Sequence, residues 1–229
     1  DECNRWWMDV LENGPSSDYA AYFDIEWHPV KPELANKVLL PILGDQYGRI
    51  LENGELKLVY EDGSFAIYYW ENKFPIAPGT YSAILGYQLE RLTEELGDES
   101  EELQEFQSIL TAINYLPPRT ELDPEKLVER NREKEVIKRR IDALYQESTQ
   151  VREAIDAAVQ AFNGKVGDPR SFDLLDALIE DQSYRLAYWR VAAEEINYRR
   201  FFDINDLAAI RTEDPQVFSD THELIFRLL

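Results

Sequence analysis

The chain is an α+β sequence, mostly helical, with a small antiparallel sheet in its N-terminal third. Two observations predict this. Asp62-Gly63 lies between two apolar-rich runs, a strong two-residue hairpin signal. Beyond residue 80, helix-start residues repeatedly precede apolar stripes, and two of the starts are Asp-Pro pairs, Asp123-Pro124 and Asp214-Pro215. Hydrophobic residues make up 44% of the 229, enough for one substantial core or two small ones and too many for global disorder.

Residues 1–30 open with Trp6-Trp7 and a loop, Glu12-Asn13-Gly14-Pro15-Ser16-Ser17; Ser17 or Asp18 is positioned to cap a short helix ending near Phe23. His28-Pro29 and Lys31-Pro32 then oppose regular helix. Residues 36–72 read as the sheet: an apolar run over 37–43, then strands over 56–61 and 64–70 about the Asp62-Gly63 turn.

Thr80 is a candidate cap for a helix carrying Leu85, Leu89, Leu92 and Leu96 on one face, and Ser100 for one carrying Leu103, Phe106, Leu110 and Ile113. Pro117-Pro118 ends the second. Asp123-Pro124 opens a long helix to about Gln146, whose mixed charges over 129–135 read as a solvated face with i,i+4 pairs. Ser148 starts another, through Val151, Ile155, Val159 and Phe162, closed by Asn163-Gly164. Together these suggest a helical hairpin projecting from the body. Asp214-Pro215 begins a last helix with Val217, Phe218, Thr221, Leu224, Ile225 and Leu228 as its stripe. Three regions follow: 1–72, aromatic loop and small sheet; 73–163, helical insert; 164–229, a substrate-facing segment and a terminal helix.

Composition excludes several functions. Acidic side chains number 45 against 24 basic, a formal net charge of −21, so nucleic acid and anionic membrane surfaces are not expected partners. A neutral ligand meets no such repulsion. Cys3 is the only cysteine, which leaves no intrachain disulfide, and His28 and His222 are too far apart in sequence for zinc-ligand spacing. No apolar run is long enough to span a bilayer. The opening residues lack both a signal-peptide pattern and an initiator Met, and residues 221–229 stop on an apolar pattern without a cap. A cytoplasmic chain is expected, with both ends cut from something longer.

The chemistry concentrates in residues 168–207. Tyr184, Arg185, Tyr188, Trp189, Asn197, Tyr198, Arg199, Arg200, Asp203 and Asn205 combine ring faces with guanidinium and amide groups, the set that a hydroxyl-rich ligand requires. The plainer reading is an ordinary helix with buried rings and paired charges. There is no glycine-rich phosphate loop and no Gly-x-Ser-x-Gly elbow. Cys3 has no nearby histidine. Glu194 and Glu195, if helical, point about 100° apart and cannot flank one bond. Asp203 and Asp206 bracket Asn205, and Asp203 or Asn205 could equally cap a helix over 206–211.

Longer strings carry a resemblance. Trp6-Trp7-Met8-Asp9-Val10-Leu11-Glu12-Asn13-Gly14-Pro15-Ser16-Ser17 is similar to the block after the third barrel strand of maltooligosyltrehalose synthases. Gly167-Asp168-Pro169-Arg170-Ser171-Phe172-Asp173, Tyr184-Arg185-Leu186-Ala187-Tyr188-Trp189-Arg190 and Glu195-Ile196-Asn197-Tyr198-Arg199-Arg200-Phe201-Phe202-Asp203 resemble later blocks of those enzymes. The resemblance implies the α-amylase superfamily, with this chain as domain B and a helical insert of a (β/α)8-barrel enzyme; Asp203-Ile204-Asn205 is similar to the element closing domain B. The implied activity is intramolecular transglucosylation, turning the reducing-end α-1,4 linkage of a maltooligosaccharide into an α,α-1,1 linkage by retaining-glycosidase chemistry.

In that family the nucleophile lies in a Gly-x-Arg-x-Asp motif, which this sequence lacks, so no catalytic residue is assigned here and the chain alone is expected to be inactive. The expected substrate-binding residues are Tyr188, Trp189, Tyr198, Arg199, Arg200, Asp203 and Asn205. The expected partners are the maltooligosaccharide and the rest of the barrel, with no cofactor and no metal. Two rivals stay open: another α-amylase-type enzyme such as a hydrolase, and a non-catalytic helical module whose hairpin binds a protein.

Overall fold

A computed structural model of the chain describes residues 4–191, 195–202, 204–205 and 207–228. Cys3, Glu194, Asp203 and Asp206 lie outside the described residues. The fold is α+β and mostly helical, as the sequence implies.

The first helix, α1 (Arg5–Asn13), starts where the sequence suggested only a loop. The Asn4 side chain accepts from the amides of Trp6 at 3.0 Å and Trp7 at 3.1 Å, and Gly14, at φ +58°, ends the helix. Trp7, Val10 and Leu11 enter the core. Ser17 accepts from the Tyr19 amide at 3.0 Å, but the segment after it makes only a single 3-10 turn, Ala20–Tyr22.

The sheet is divided in a way the sequence did not reveal. β2 (Leu56–Glu61) and β3 (Ser64–Tyr69) form the expected hairpin; Asp62 at φ +46° and Gly63 at φ +78° supply the two left-handed residues of a type I′ turn. β4 (Asn72–Pro75) adds a third antiparallel strand. The apolar run expected to join them is β1 (Val38–Leu43), which instead pairs in parallel with β5 (Tyr184–Tyr188) in a separate two-stranded sheet. The reason is burial on both faces. An unbroken Val-Leu-Leu-Pro-Ile-Leu run suits a covered parallel strand, not a half-exposed hairpin strand. In the chain, α2 (Tyr47–Glu52) separates β1 from β2.

The helix predicted from Thr80 is broken into α3 (Tyr81–Leu85), a 3-10 turn and α4 (Leu89–Leu96), with the Thr80 hydroxyl donating back to the Ala77 carbonyl at 2.8 Å instead of capping. The other caps form as expected. Ser100 accepts from the Leu103 amide at 3.1 Å to open α5 (Glu101–Asn114). Asp123 accepts from Glu125 at 3.1 Å and Lys126 at 3.2 Å to open α6 (Pro124–Glu147), and Ser148 starts α7 (Thr149–Phe162).

The α6–α7 hairpin lies against the sheet and does not project from it. Tyr145 stacks on Tyr60 with centroids 4.2 Å apart, and the Asn163 carboxamide exchanges hydrogen bonds of 2.7 and 2.8 Å with both backbone groups of Leu58. Residues from α1, both sheets and α3 to α8 (Asp173–Glu180) belong to one contiguous core. The charged segment 129–135 is likewise not simply solvated: Arg130 and Lys134 are buried. Arg130 donates to the Pro117 carbonyl and, at 3.5 Å, to Asn13 of α1, and the partners of Lys134 come from α1 as well. Lys134 reaches Asp9 at 3.2 Å and Glu12 at 3.3 Å, and Lys138 reaches Glu12 at 2.5 Å. Burial pushes the Glu12 carboxyl up, but Lys138 and Lys134 together outweigh it and hold the group below its ordinary value.

No helix forms over the described part of 206–211. Isolated antiparallel bridges join Ile25 to Tyr198, Arg200 to Ala208 and Phe23 to Ile210. Asp214 caps α9 (Pro215–Leu228), of which only Val217 is buried; Leu224 is 70% exposed and Leu228 78%. Among the described residues no helix is long and apolar enough to cross a membrane.

Candidate functional site

Strand β1 organises the region. Alternate residues of a strand point to opposite faces, so Leu40 and Ile42 look one way and Leu39 the other. Each face borders a cavity. One, of about 240 Å³, is lined by Trp7, Met8, Leu40, Ile42, Tyr198 and Asn205 among others. The second, of about 660 Å³, is lined by Leu39, Tyr47, Asp176, Arg185, Tyr188 and Glu195 among others.

The edge of β1 away from β5 is closed by two asparagines. Asn197 accepts from the Leu39 amide at 2.9 Å and donates to the carbonyls of Lys37 at 2.8 Å and Glu26 at 3.0 Å. Further along, Asn205 donates to the Pro41 carbonyl at 3.2 Å. The proline fits because its missing N–H falls on this edge and not in the ladder with β5.

The sequence-predicted residues fall into two groups and one outlier. Tyr198 and Asn205 line the smaller cavity, and Arg200 joins them through Asn205. Asn205 is their hub: its side-chain oxygen accepts from Arg200, and its backbone carbonyl accepts from the Tyr198 hydroxyl at 3.3 Å. Tyr198 is buried, its ring 5.3 Å from that of Trp7. Tyr188 and Trp189 stand at the end of β5 near the larger cavity, their rings 5.9 Å apart with the Arg190 guanidinium over both, 5.6 Å from Tyr188 and 5.3 Å from Trp189. Arg199 lines neither cavity; it pairs with Glu213 at 3.0 Å and Asp24 at 3.7 Å. Asp203 is outside the described residues.

Several contributors were not among the expected substrate-binding residues. Asn197 stood in the polar-aromatic run without a binding role assigned to it, and Trp7, Met8 and Tyr47 come from distant segments. In the larger cavity the Tyr47 hydroxyl donates to Asp176 at 2.8 Å; burial and that carboxylate raise its pKa well above the ordinary phenol value. Burial also lowers the pKa of Lys37, whose ammonium donates to the Glu180 carbonyl. Among the described residues no group of three or more His, Cys, Asp or Glu side chains could hold a metal ion. What the arrangement offers is ring faces, hydroxyls, amides and guanidinium groups. It is equipped to bind.

Sequence comparison sets the chain beside a class of enzymes named as synthases. The matched relatives are two putative maltooligosyl trehalose synthases of Mycobacterium tuberculosis, from strains CDC 1551 / Oshkosh and ATCC 25618 / H37Rv, each 40% identical over 72 residues. The match covers 28% of this chain and 9% of theirs. No protein-family model matches. Among solved structures, the maltooligosyltrehalose synthase of Arthrobacter ramosus is 28% identical, with a TM-score of 0.48 over 99% of this chain and 16% of that one. A hypothetical maltooligosyl trehalose synthase of Sulfolobus tokodaii gives 22% identity and a TM-score of 0.46 over 98% of this chain and 17% of its own.

Proposed function

We propose that this chain is a segment of a maltooligosyltrehalose synthase, an α-amylase-superfamily isomerase in which it serves as domain B with its helical insert. The parent enzyme converts the reducing-end α-1,4 linkage of a maltooligosaccharide into an α,α-1,1 linkage. The observation carrying this reading is the 40% identity over 72 residues to two proteins named as such synthases. In this reading residues 164–229 face the substrate, residues 1–72 and 73–163 support them, and the reacting carboxylates come from the rest of the barrel.

The role of this segment is to form a wall. Retaining chemistry proceeds through a glycosyl-enzyme that water can intercept, so a transferase must keep water out while the released glucose turns within the site. The Tyr198–Asn205–Arg200 unit is suited to that task because each polar group is already held by a neighbour, which leaves the donors and ring faces in fixed positions. Asp203, Arg199, Tyr188 and Trp189 complete the proposed sugar-facing set.

The test is product analysis. The whole protein is incubated with maltopentaose, and the expected product is a non-reducing oligosaccharide of unchanged length. Formation of shorter reducing sugars alone would identify a hydrolase, and no conversion at all would remove the reading.

A further inference from the structure

The larger cavity lies on the Leu39 face of β1, across the strand from the Tyr198–Asn205–Arg200 unit. We propose that it is a second saccharide cleft, holding glucose units of the chain remote from the reacting end. This inference rests on the functional reading above and adds a binding site to it.

Size is the first argument. About 660 Å³ falls within the roughly 300–1,000 Å³ typical of small-molecule sites, whereas the cavity beside Tyr198 is smaller, at about 240 Å³. Charge is the second. The lining contains four acidic residues, Glu33, Asp176, Glu180 and Glu195, against Lys37 and Arg185, so a phosphorylated or carboxylated ligand is opposed. A compact cation is not favoured either, because the acidic groups are not gathered in one place. Asp176 accepts from Tyr47, and Glu195 pairs with Lys31 at 2.7 Å.

Lining chemistry is the third. Leu39, Ile179, Leu186 and Val191 supply apolar surface, and the Tyr47 and Tyr188 side chains add rings for the C–H faces of a pyranose. Interspersed carboxylates, amide and cationic donors are the complement of alternating hydroxyls. Tyr47 is well suited to this because its hydroxyl is already bonded to Asp176, which fixes the side chain. A neutral polyhydroxylated ligand matches the apolar and the polar halves of the lining together.

The test uses the whole protein, with maltotriose and maltoheptaose titrated calorimetrically. Ala35→Trp places an indole at the exposed rim of the cleft without touching the core, and Gln46→Trp does the same from a second exposed rim position. The wild type is expected to bind the heptaose about tenfold more tightly than the triose, and both variants should reduce that ratio to within about twofold. An unchanged ratio in both variants, while trehalose-type product still forms, overturns the cleft and leaves the enzyme reading standing. Absence of any binding and of any conversion by the wild type overturns both.

Discussion

The Asn197 carboxamide treats Leu39 as a neighbouring strand would: it accepts the Leu39 amide at 2.9 Å and donates to the preceding carbonyl, that of Lys37, at 2.8 Å. One side chain therefore replaces a strand along part of an otherwise open edge. Asn197→Ala would leave buried backbone groups unpaired and is expected to cost about 3 kcal/mol. Asn197→Asp should cost at least as much, since the two donors to Lys37 and Glu26 are lost together. Urea denaturation gives the size; a change under about 0.5 kcal/mol in both variants would show that the edge finds other partners.

Glu12 is buried between Lys134 and Lys138, so removing its charge leaves each ammonium with one remaining carboxylate, Asp9 for Lys134 and Glu135 for Lys138. Glu12→Gln is expected to lower stability by about 3 kcal/mol at neutral pH. Because the folded-state pKa of Glu12 is depressed, its contribution is present above the unfolded value and disappears as pH falls through the folded one. The pKa of Lys138 is raised, burial notwithstanding, by Glu12 and Glu135, and its contribution is lost as pH rises through that raised value. The gap between wild type and variant should accordingly narrow below about pH 4. A constant gap down to acid denaturation would contradict the assignment.

Two glycines with nearly equal φ separate backbone strain from crowding. Gly63 (φ +78°) sits where an added Cβ would overlap the Lys138 carbonyl of α6, while Gly97 (φ +79°) faces open space. Gly97→Ala should cost about 2 kcal/mol from its backbone conformation alone, because a ψ of 150° at that φ lies in a region essentially reserved for glycine. Gly63→Ala, which must also move the hairpin off α6, should cost about 3 kcal/mol. Equal losses in the two variants would mean the turn does not bear on the helix.

Helix α9 buries only Val217 and is tied down by the Tyr22 hydroxyl, which donates to Asp220. That bond is the main reason the Tyr22 phenol is pushed up to about 12. Tyr22→Phe should release the helix, and amide exchange across residues 216–224 is expected to quicken about tenfold with the core amides unaffected. Exchange at the wild-type rate would show that Val217 suffices as an anchor.

On the proposed function, Arg200→Ala and Tyr198→Ala in the whole enzyme should each raise the proportion of free glucose relative to trehalose-type product, because each opens the wall around Asn205 to water. Glucose quantified against the non-reducing product decides it. A product ratio that stays at the wild-type value in both variants would count against this role.

The sequence by itself determined what is local. Asp62-Gly63 specified its hairpin because two left-handed residues suffice to reverse a strand, and Ser100, Asp123, Ser148 and Asp214 marked helix starts because a cap acts within one turn. The strings around Tyr198 and Arg200 likewise marked where ring, guanidinium and amide groups concentrate.

Tertiary structure alone decided what depends on partners distant in sequence. β1 found β5 instead of the hairpin, since a strand buried on both faces has no periodicity to announce its neighbour. Lys134 and Arg130 went inward because α1 brought Glu12 and Asn13 to them, and a charge run carries no sign of that. The grouping of the candidate residues was decided the same way. Which of them share a cavity is set by alternation along β1, and their order in the chain does not encode it.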